Sequence, residues 1–224
     1  MIDHLSEGLL RVDLQLPADV LSREVCFLEE LLRWNQRINL TSIRNPDEAV
    51  EKHLVDSLLV LPHLGAAKQI VDMGSGGGLP GIPLAIAEPA INVVSIDSVG
   101  KKVNFQKHIK RMLQLNNFSA EQSRIEESGA TGLELEKYDL IMSRAFTSLE
   151  TFLRLALSRI NPGGRVLAMK GPEGREELAG VSKALQANIC EPQVIDYVLP
   201  FSSAVRQIII VKKPEDCLSN NNNG

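Results

Sequence analysis

"IVDMGSGGGLPGIPLAI" (residues 70–86) opens as an apolar run interrupted by Asp72, places glycines at 74, 76, 77, 78 and 81, and then takes up a helical spacing. Glycines this dense suit a strand-to-helix turn whose backbone a ligand approaches closely. A phosphate-cradling P-loop would end in Gly-Lys-Ser/Thr, so that a lysine and a hydroxyl reach the phosphates and the magnesium ion. Here the loop ends Leu79-Pro80-Gly81-Ile82. A dinucleotide fingerprint matches better, because Gly76, Gly78 and Gly81 satisfy G-x-G-x-x-G and Asp97 follows about twenty residues on. Asp72 separates that reading from a third. A pyrophosphate sits at a helix N-terminus because the amides and the dipole favour negative charge there, and a carboxylate two residues before the first glycine repels it. S-adenosylmethionine has no phosphate and carries a sulfonium and an ammonium, so the same carboxylate attracts it. The spacing D-x-G-x-G-x-G after an apolar strand favours this adenosyl ligand, with Asp72, Gly74, Gly76 and Gly78 as its loop.

Outward from the loop, hydrophobic periodicity gives strand candidates at 69–73, 91–97, 138–143, 165–170, 193–199 and 205–213, with a weaker one at 118–123. Helical patterns lie between most of them, at 82–88, 100–115, 148–160 and 173–188. The last two strands are joined only by "PFSSA", too short for a crossover helix, so they are predicted to pair antiparallel. The result is a doubly wound, Rossmann-like α/β sheet of seven strands with the last one reversed. That is the layout of class I S-adenosylmethionine-dependent methyltransferases; a dinucleotide domain normally continues with a parallel strand.

Before residue 65 the pattern is helical. "PADVLSREVCFLEELLRWNQRI" places Val20, Leu21, Val25, Leu28, Leu31, Leu32 and Ile38 at helical spacing. "NPDEAVEKHLVDSLLVLPHL" opens on an Asn-Pro start signal and repeats the period through Val50, Leu54, Leu58 and Leu61. The expected organisation is an N-terminal helical cap over 1–64 packed on the core, a methyltransferase domain over 65–214, and a disordered tail over 215–224 that contains "SNNNNG".

The 224 residues suit one domain with a small appendage, and an apolar fraction of 44% can fill an ordinary core. No apolar run reaches the roughly 18 residues of a membrane span, and the first residues mix acids where a leader would carry a basic start. Cys26, Cys190 and Cys217 are scattered and odd in number, which reads as reduced thiols of a cytoplasmic protein and not as disulfides or a metal site. The net charge of −4 argues against a general nucleic-acid binder. Yet residues 98–120 contain Lys101, Lys102, Lys107, Lys110 and Arg111 and no acid, a local positive face directly after Asp97.

In an open α/β sheet, ligands sit beyond the carboxyl ends of the strands. The second strand delivers Asp97, whose two oxygens can accept both ribose hydroxyls of an adenosyl group. The third ends near Arg124-Ile125-Glu126, where an apolar side chain and a backbone amide can bracket adenine. The fourth ends in Ser143-Arg144-Ala145-Phe146. Enzymes that methylate exocyclic amines carry Asn/Asp-Pro-Pro-aromatic here, and those that methylate pyrimidine carbon use a cysteine; neither is present. The acceptor is therefore expected to be already nucleophilic, as guanine N7 is. Arg144 would position it, with no general base. His53 and Asp56, three apart on the cap, either line a substrate pocket with Asn39 and Thr41 or lock the cap onto the sheet.

The segments "LLRWNQRINLTSIRNPDEAVEKHLVDSL", "DMGSGGGLPGIPLAI", "SIDSVGKKVNFQKH", "QSRIEE", "SRAFTSL" and "AMKGP", in this order over about residues 25–172, resemble the RsmG (also called GidB) family of bacterial 16S ribosomal RNA guanine-N7 methyltransferases. The resemblance implies S-adenosyl-L-methionine as donor, S-adenosyl-L-homocysteine as product, and a guanosine of 16S rRNA in the small ribosomal subunit as acceptor. It further implies that Gly74, Leu79, Asp97, Ile125, Glu126 and Arg144 contact the cofactor, and that Lys101, Lys102 and Lys170 meet RNA, joined by Lys107 from the same basic stretch. A cytoplasmic monomer without metal or membrane attachment is expected. Two rival functions stand beside it. An NAD-dependent oxidoreductase would need a catalytic acid or metal that the sequence does not offer. A non-catalytic RNA-binding protein would not need Asp72, the glycine loop and Asp97 together.

Overall fold

Alternate residues of β1 (Gln69–Met73) serve two different apolar cores: Ile70 packs into one, Val71 and Met73 into the other. This is what a strand buried on both faces requires. A computed structural model describes residues 1–124, 138–144, 146 and 148–215; the expected tail beyond Glu215 lies outside them. Around β1 run β2 (Asn92–Asp97), β3 (Phe118–Gln122), β4 (Tyr138–Ser143), β5 (Ile160–Lys170), β6 (Gln193–Val198) and β7 (Val205–Lys212), in the order β3-β2-β1-β4-β5-β7-β6. Pairings are parallel from β3 through to β5, and β7 pairs antiparallel with both β5 and β6. The predicted reversed last strand is therefore present. The order turns back between β1 and β4, so their carboxyl ends open a crevice there.

The cap begins with α1 (Ile2–Leu10) and α2 (Ala18–Asn35). Val20, Leu21, Val25, Phe27, Leu28 and Leu31 form the buried stripe of α2, and they join Leu5, Leu54 and Leu58 in the same cluster as Ile70, Leu140, Leu167 and Ile208 of the sheet. The cap and one sheet face thus share one core. Ile38, expected on the helical period, lies past the helix end. Asn35 ends α2 because its Oδ1 accepts the amides of Leu40 and Thr41, at 2.8 and 3.0 Å, and folds the following chain back. The second cap segment runs as α3 (Pro46–Ala49), capped by Asn45 as its Asn-Pro start predicts, then a π turn over Val50–Val55, then α4 (Asp56–Leu58).

On the sheet, α5 (Gly81–Ala87), α6 (Gly100–Met112) and α7 (Leu149–Leu157) lie near their expected positions. The predicted α6 stops three residues early: Gln114 takes a left-handed φ of 52°, and Leu115 donates to the Lys110 carbonyl in the manner of a Schellman cap. The single helix expected over 173–188 is two, α8 (Gly174–Ala179) and α9 (Lys183–Gln186). Gly180 ends the first, and Val181 turns into the core behind it. β5 begins at Ile160 rather than 165, adding an irregular stretch through Gly163-Gly164.

Glu51 ties the cap to the far edge of the sheet. Its Oε1 accepts the amides of Phe201 and Ser202 at 2.6 and 2.8 Å, holding the turn between β6 and β7. Burial acts to raise the carboxyl pKa, but these amides and Lys52 outweigh it and hold it below the usual range. A depressed folded pKa gives stability that is present above the ordinary glutamate value of about 4.3 and is lost as pH falls through the folded one. Glu51→Ala should cost about 1–3 kcal/mol at pH 7. In urea titrations the gap between variant and wild type should narrow below about pH 4; an equal gap at both pH values would contradict this role.

Candidate active site

Five amides of the glycine loop are committed inside the protein. Gly74 and Ser75 donate to the Ile96 carbonyl at 2.9 and 3.1 Å, Gly76 to Asp97 Oδ2 at 2.8 Å, and Gly78 and Leu79 to the Ser75 carbonyl at 2.8 and 3.0 Å. Gly74, Gly76 and Gly78 take φ values of 72°, 58° and 83°, which glycine adopts without strain. A Cβ on Gly78 would lie 2.3 Å from Ile82, whereas one on Gly76 would meet nothing within 4 Å. The loop is thus packed at its helix end and open in its middle.

Asp72, expected to face the ligand, lies beneath the loop instead. It is 0% exposed, its Oδ2 accepts the Gly81 amide that starts α5 at 2.9 Å, and its Oδ1 has no protein partner. Burial pushes its pKa up to about 7 against the opposing pull of the Gly81 amide and Arg144. Asp97 is a clamp: Oδ2 takes Gly76 and Oδ1 takes Val99, both at 2.8 Å. Each of its oxygens, expected to serve ribose hydroxyls, already accepts an amide and keeps one further lone pair. Leu79 is buried in the core cluster. Ile125 and Glu126 lie outside the described residues.

Gln106 went unread in the sequence. Its Nε2 donates to Ser75 Oγ and to the Gly76 carbonyl, both at 2.8 Å, so one α6 side chain holds the carbonyl of the residue whose amide Asp97 holds. The signal was available: Val103, Gln106 and Ile109 share the buried face of α6, and a glutamine at such a position needs partners.

Next to the loop, Thr41, His53, Asp56, Arg144, Lys170 and Arg206 line a cavity of about 380 Å³. Arg144 leaves the end of β4 and donates to the Lys52 carbonyl in the π turn at 2.9 Å, with Asp56 Oδ2 at 3.7 Å. Both guanidinium nitrogens approach His53 Nδ1, at 3.4 and 3.5 Å. The same Nδ1 lies 3.2 Å from the Lys52 carbonyl, and Nε2 meets Thr41 Oγ1 at 2.8 Å, so both ring nitrogens are held. Burial, then the Arg144 charge, lowers the His53 pKa to about 3. The imidazole is neutral at physiological pH. Asp56 Oδ1 accepts the Tyr197 hydroxyl at 2.9 Å and has Arg206 at 4.0 Å; burial raises its pKa against the pull of Arg144. Tyr197 and Arg206 are register partners on β6 and β7, more than a hundred residues from the cap, so no local pattern announces them.

Two sequence expectations change. Lys170, read as an RNA-facing cation, is 9% exposed and donates to Glu177 Oε2 at 2.8 Å and the Phe146 carbonyl at 3.3 Å. It is a paired wall of the cavity. Asn39 does not join His53 and Asp56; it is exposed and lines a separate cleft with Arg37 and Arg44. Lys101 and Lys107 lie exposed on α6, with Lys102 half-buried. Among the described residues, no group of three or more His, Cys, Asp or Glu is placed to hold a metal ion, and no helix is long and apolar enough to cross a membrane.

In overall shape the chain resembles an O-methyltransferase from Bacillus cereus, solved in complex with SAH, with a TM-score of 0.61 at 19% identity over 95% of this chain and 100% of that one. The O-methyltransferase TomG from Streptomyces achromogenes gives a TM-score of 0.57 at 15% identity over 85% of this chain and 89% of that one. These likenesses establish the fold. In sequence, the chain is 42% identical over 214 residues to ribosomal RNA small subunit methyltransferase G of Syntrophotalea carbinolica, spanning 95% of this chain and 98% of that protein. The Geobacter metallireducens protein of the same name is 39% identical over 96% of this chain and 97% of its own length. The family model described as rRNA small subunit methyltransferase G matches residues 22–207, and the chain belongs to this GidB family.

Proposed function

We propose that the protein transfers a methyl group from S-adenosylmethionine to N7 of a guanosine in 16S ribosomal RNA, leaving S-adenosylhomocysteine. One observation carries the donor: the anion position at the start of α5 is filled by the protein's own Asp72 carboxylate. With five neighbouring amides spent internally, the loop presents no nest for a pyrophosphate. It offers instead the spare lone pairs of Asp97, with the Asp72 carboxyl buried beneath, which suits a cationic ligand rich in hydroxyls. Gly74, Gly76, Gly78 and Asp97 would hold it, with Ile125 and Glu126 as further contacts. The relatives' name supports the acceptor. The reading places the protein in the cytoplasm, where ribosomal subunits are made. It needs one copy of the chain, since one sheet and one cap supply the described site.

When bound, the donor supplies a methyl group on a positively charged sulfur. Guanine N7 carries an unshared pair and no proton at neutral pH, so the chain has to align the acceptor, which lowers the barrier by several kcal/mol, and not deprotonate it. Arg144 is held by Lys52 and Asp56 at the mouth of the crevice, and its remaining N–H groups can hold the base by its O6 edge. Neutral His53, fixed between Arg144 and Thr41, keeps the guanidinium in place without adding charge near a base that becomes positive. Lys101, Lys102 and Lys107 would meet phosphates from α6.

Radiolabelled methyl transfer to 16S rRNA, with the label recovered as 7-methylguanosine, tests the whole reading. At saturating donor, whose positive charge would keep Asp72 ionised, the single-turnover rate should be flat between about pH 6.5 and 8.5, above ordinary carboxylates and below lysine; His53, at about 3, does not titrate there. Arg144→Ala should slow it about a hundredfold without adding pH dependence. A bell-shaped profile would instead report an essential acid and base. Asp72 gives a second check on the ligand-free chain. Its raised folded pKa means stability that is full below about pH 4 and lost as pH rises to about 7. That loss should amount to a few kcal/mol and vanish in Asp72→Asn; parallel stability curves for the two proteins would refute the assignment.

A further inference from the structure

The loop over 36–44 has two sides. Its inner side, through Thr41, Ser42 and Ile43, walls the cavity that holds His53 and Arg144. Its outer side opens into a cleft of about 590 Å³ lined by Arg37, Asn39 and Arg44, and Arg37 also borders a second cleft of about 580 Å³ beside Trp34. The loop is held firmly, since Asn35 accepts from Leu40 and Thr41 and donates to the Thr41 carbonyl at 2.9 Å, while Thr41 Oγ1 accepts from Ile43 at 3.1 Å.

Charge within the loop itself is of one sign. Residues 31–46 contain Arg33, Arg37 and Arg44 and no acid. The acids that flank it are Glu30, which is 5% exposed and is spent on Arg33, His108 and Trp34, and the exposed Asp47 and Glu48 of α3, of which Glu48 pairs with Lys52 at 2.6 Å. Arg37 and Arg44 are exposed, and among the described residues neither is paired with an acid. Trp34 packs on Phe105 and His108 of α6, with ring centroids 5.5 and 5.1 Å apart. The acid-free loop and the acid-free face of α6 are therefore neighbours, and together they make a basic belt reaching from Asp97 around to the outside of the cavity wall.

We propose that this outer side is a second docking surface for the RNA strand, on which Arg37 and Arg44 hold phosphates flanking the target guanosine while that base occupies the cavity behind the same wall. Guanidinium groups match phosphate geometry with paired N–H donors. The amides of Gln36 and Asn39 beside them suit a polar backbone better than an apolar protein face. A strand passing over the edge of the loop would place one nucleotide inside and its neighbours' phosphates outside. The inference rests on the chain acting on ribosomal RNA, and gives that substrate its line of approach.

The test measures methyl transfer and RNA binding by the full chain, using a 16S rRNA fragment at several salt concentrations. Arg37→Ala with Arg44→Ala should raise KM for RNA about tenfold and lower the salt slope of binding by about 0.7 for each arginine. The single-turnover rate at saturating RNA and the affinity for S-adenosylmethionine should stay unchanged. Arg37→Lys with Arg44→Lys keeps the charges and should restore the slope, which a merely structural role would not. An unaltered KM and slope in the alanine variant, with the wild type active, would overturn this inference alone. A wild type that methylates no 16S rRNA would instead overturn the proposed function.

Discussion

A carboxylate shut away from water accepts the first amide of α5, and the glycine loop is arranged around that bond. Asp72 sits at the end of a strand buried on both faces, pairs Gly81, and satisfies the helix start that an anionic ligand would otherwise occupy. Because the protein supplies its own anion, the loop need not point amides outward, and it spends them on Ile96, Asp97 and Ser75. Gln106 and Asp97 then hold Gly76 by its carbonyl and its amide. The outcome is a rigid surface whose free chemistry is carboxylate and carbonyl oxygen, suited to a cation.

The cap completes the site from the other direction. Its π turn offers the Lys52 carbonyl to Arg144, and one helical face presents His53 and Asp56 to the end of β4. Tyr197 and Arg206, from the antiparallel hairpin that distinguishes this sheet, close on Asp56. Three parts of the chain far apart in sequence therefore meet around one guanidinium. A buried set of charges like this is costly unless each member is paired, which ties the position of the cap to the integrity of the site.

Much of this was legible in the residues. The bounds of β1 and β4, the reversed last strand and the Asn45 cap all follow from periodicity, connection length and start signals. What escaped has physical causes. In a strand with both faces buried, alternation does not say which way Asp72 points, and it points beneath the loop. Asn39 and Thr41 looked equivalent, but the turn set by Asn35 sends only Thr41 inward. The resemblance alone sets Lys170 against RNA, and its partner Glu177 on α8 reaches it through tertiary packing that the sequence does not announce. Tyr197 and Arg206 depend on long-range pairing that no window reveals.

The central claim is that the Asp72-filled helix start selects a cationic adenosyl ligand against a pyrophosphate. Calorimetric titration of the wild-type chain with S-adenosylmethionine and, separately, with NAD tests it most directly. The account predicts saturable one-to-one binding of S-adenosylmethionine and no measurable heat with NAD. Binding of NAD with equal or greater affinity would contradict it.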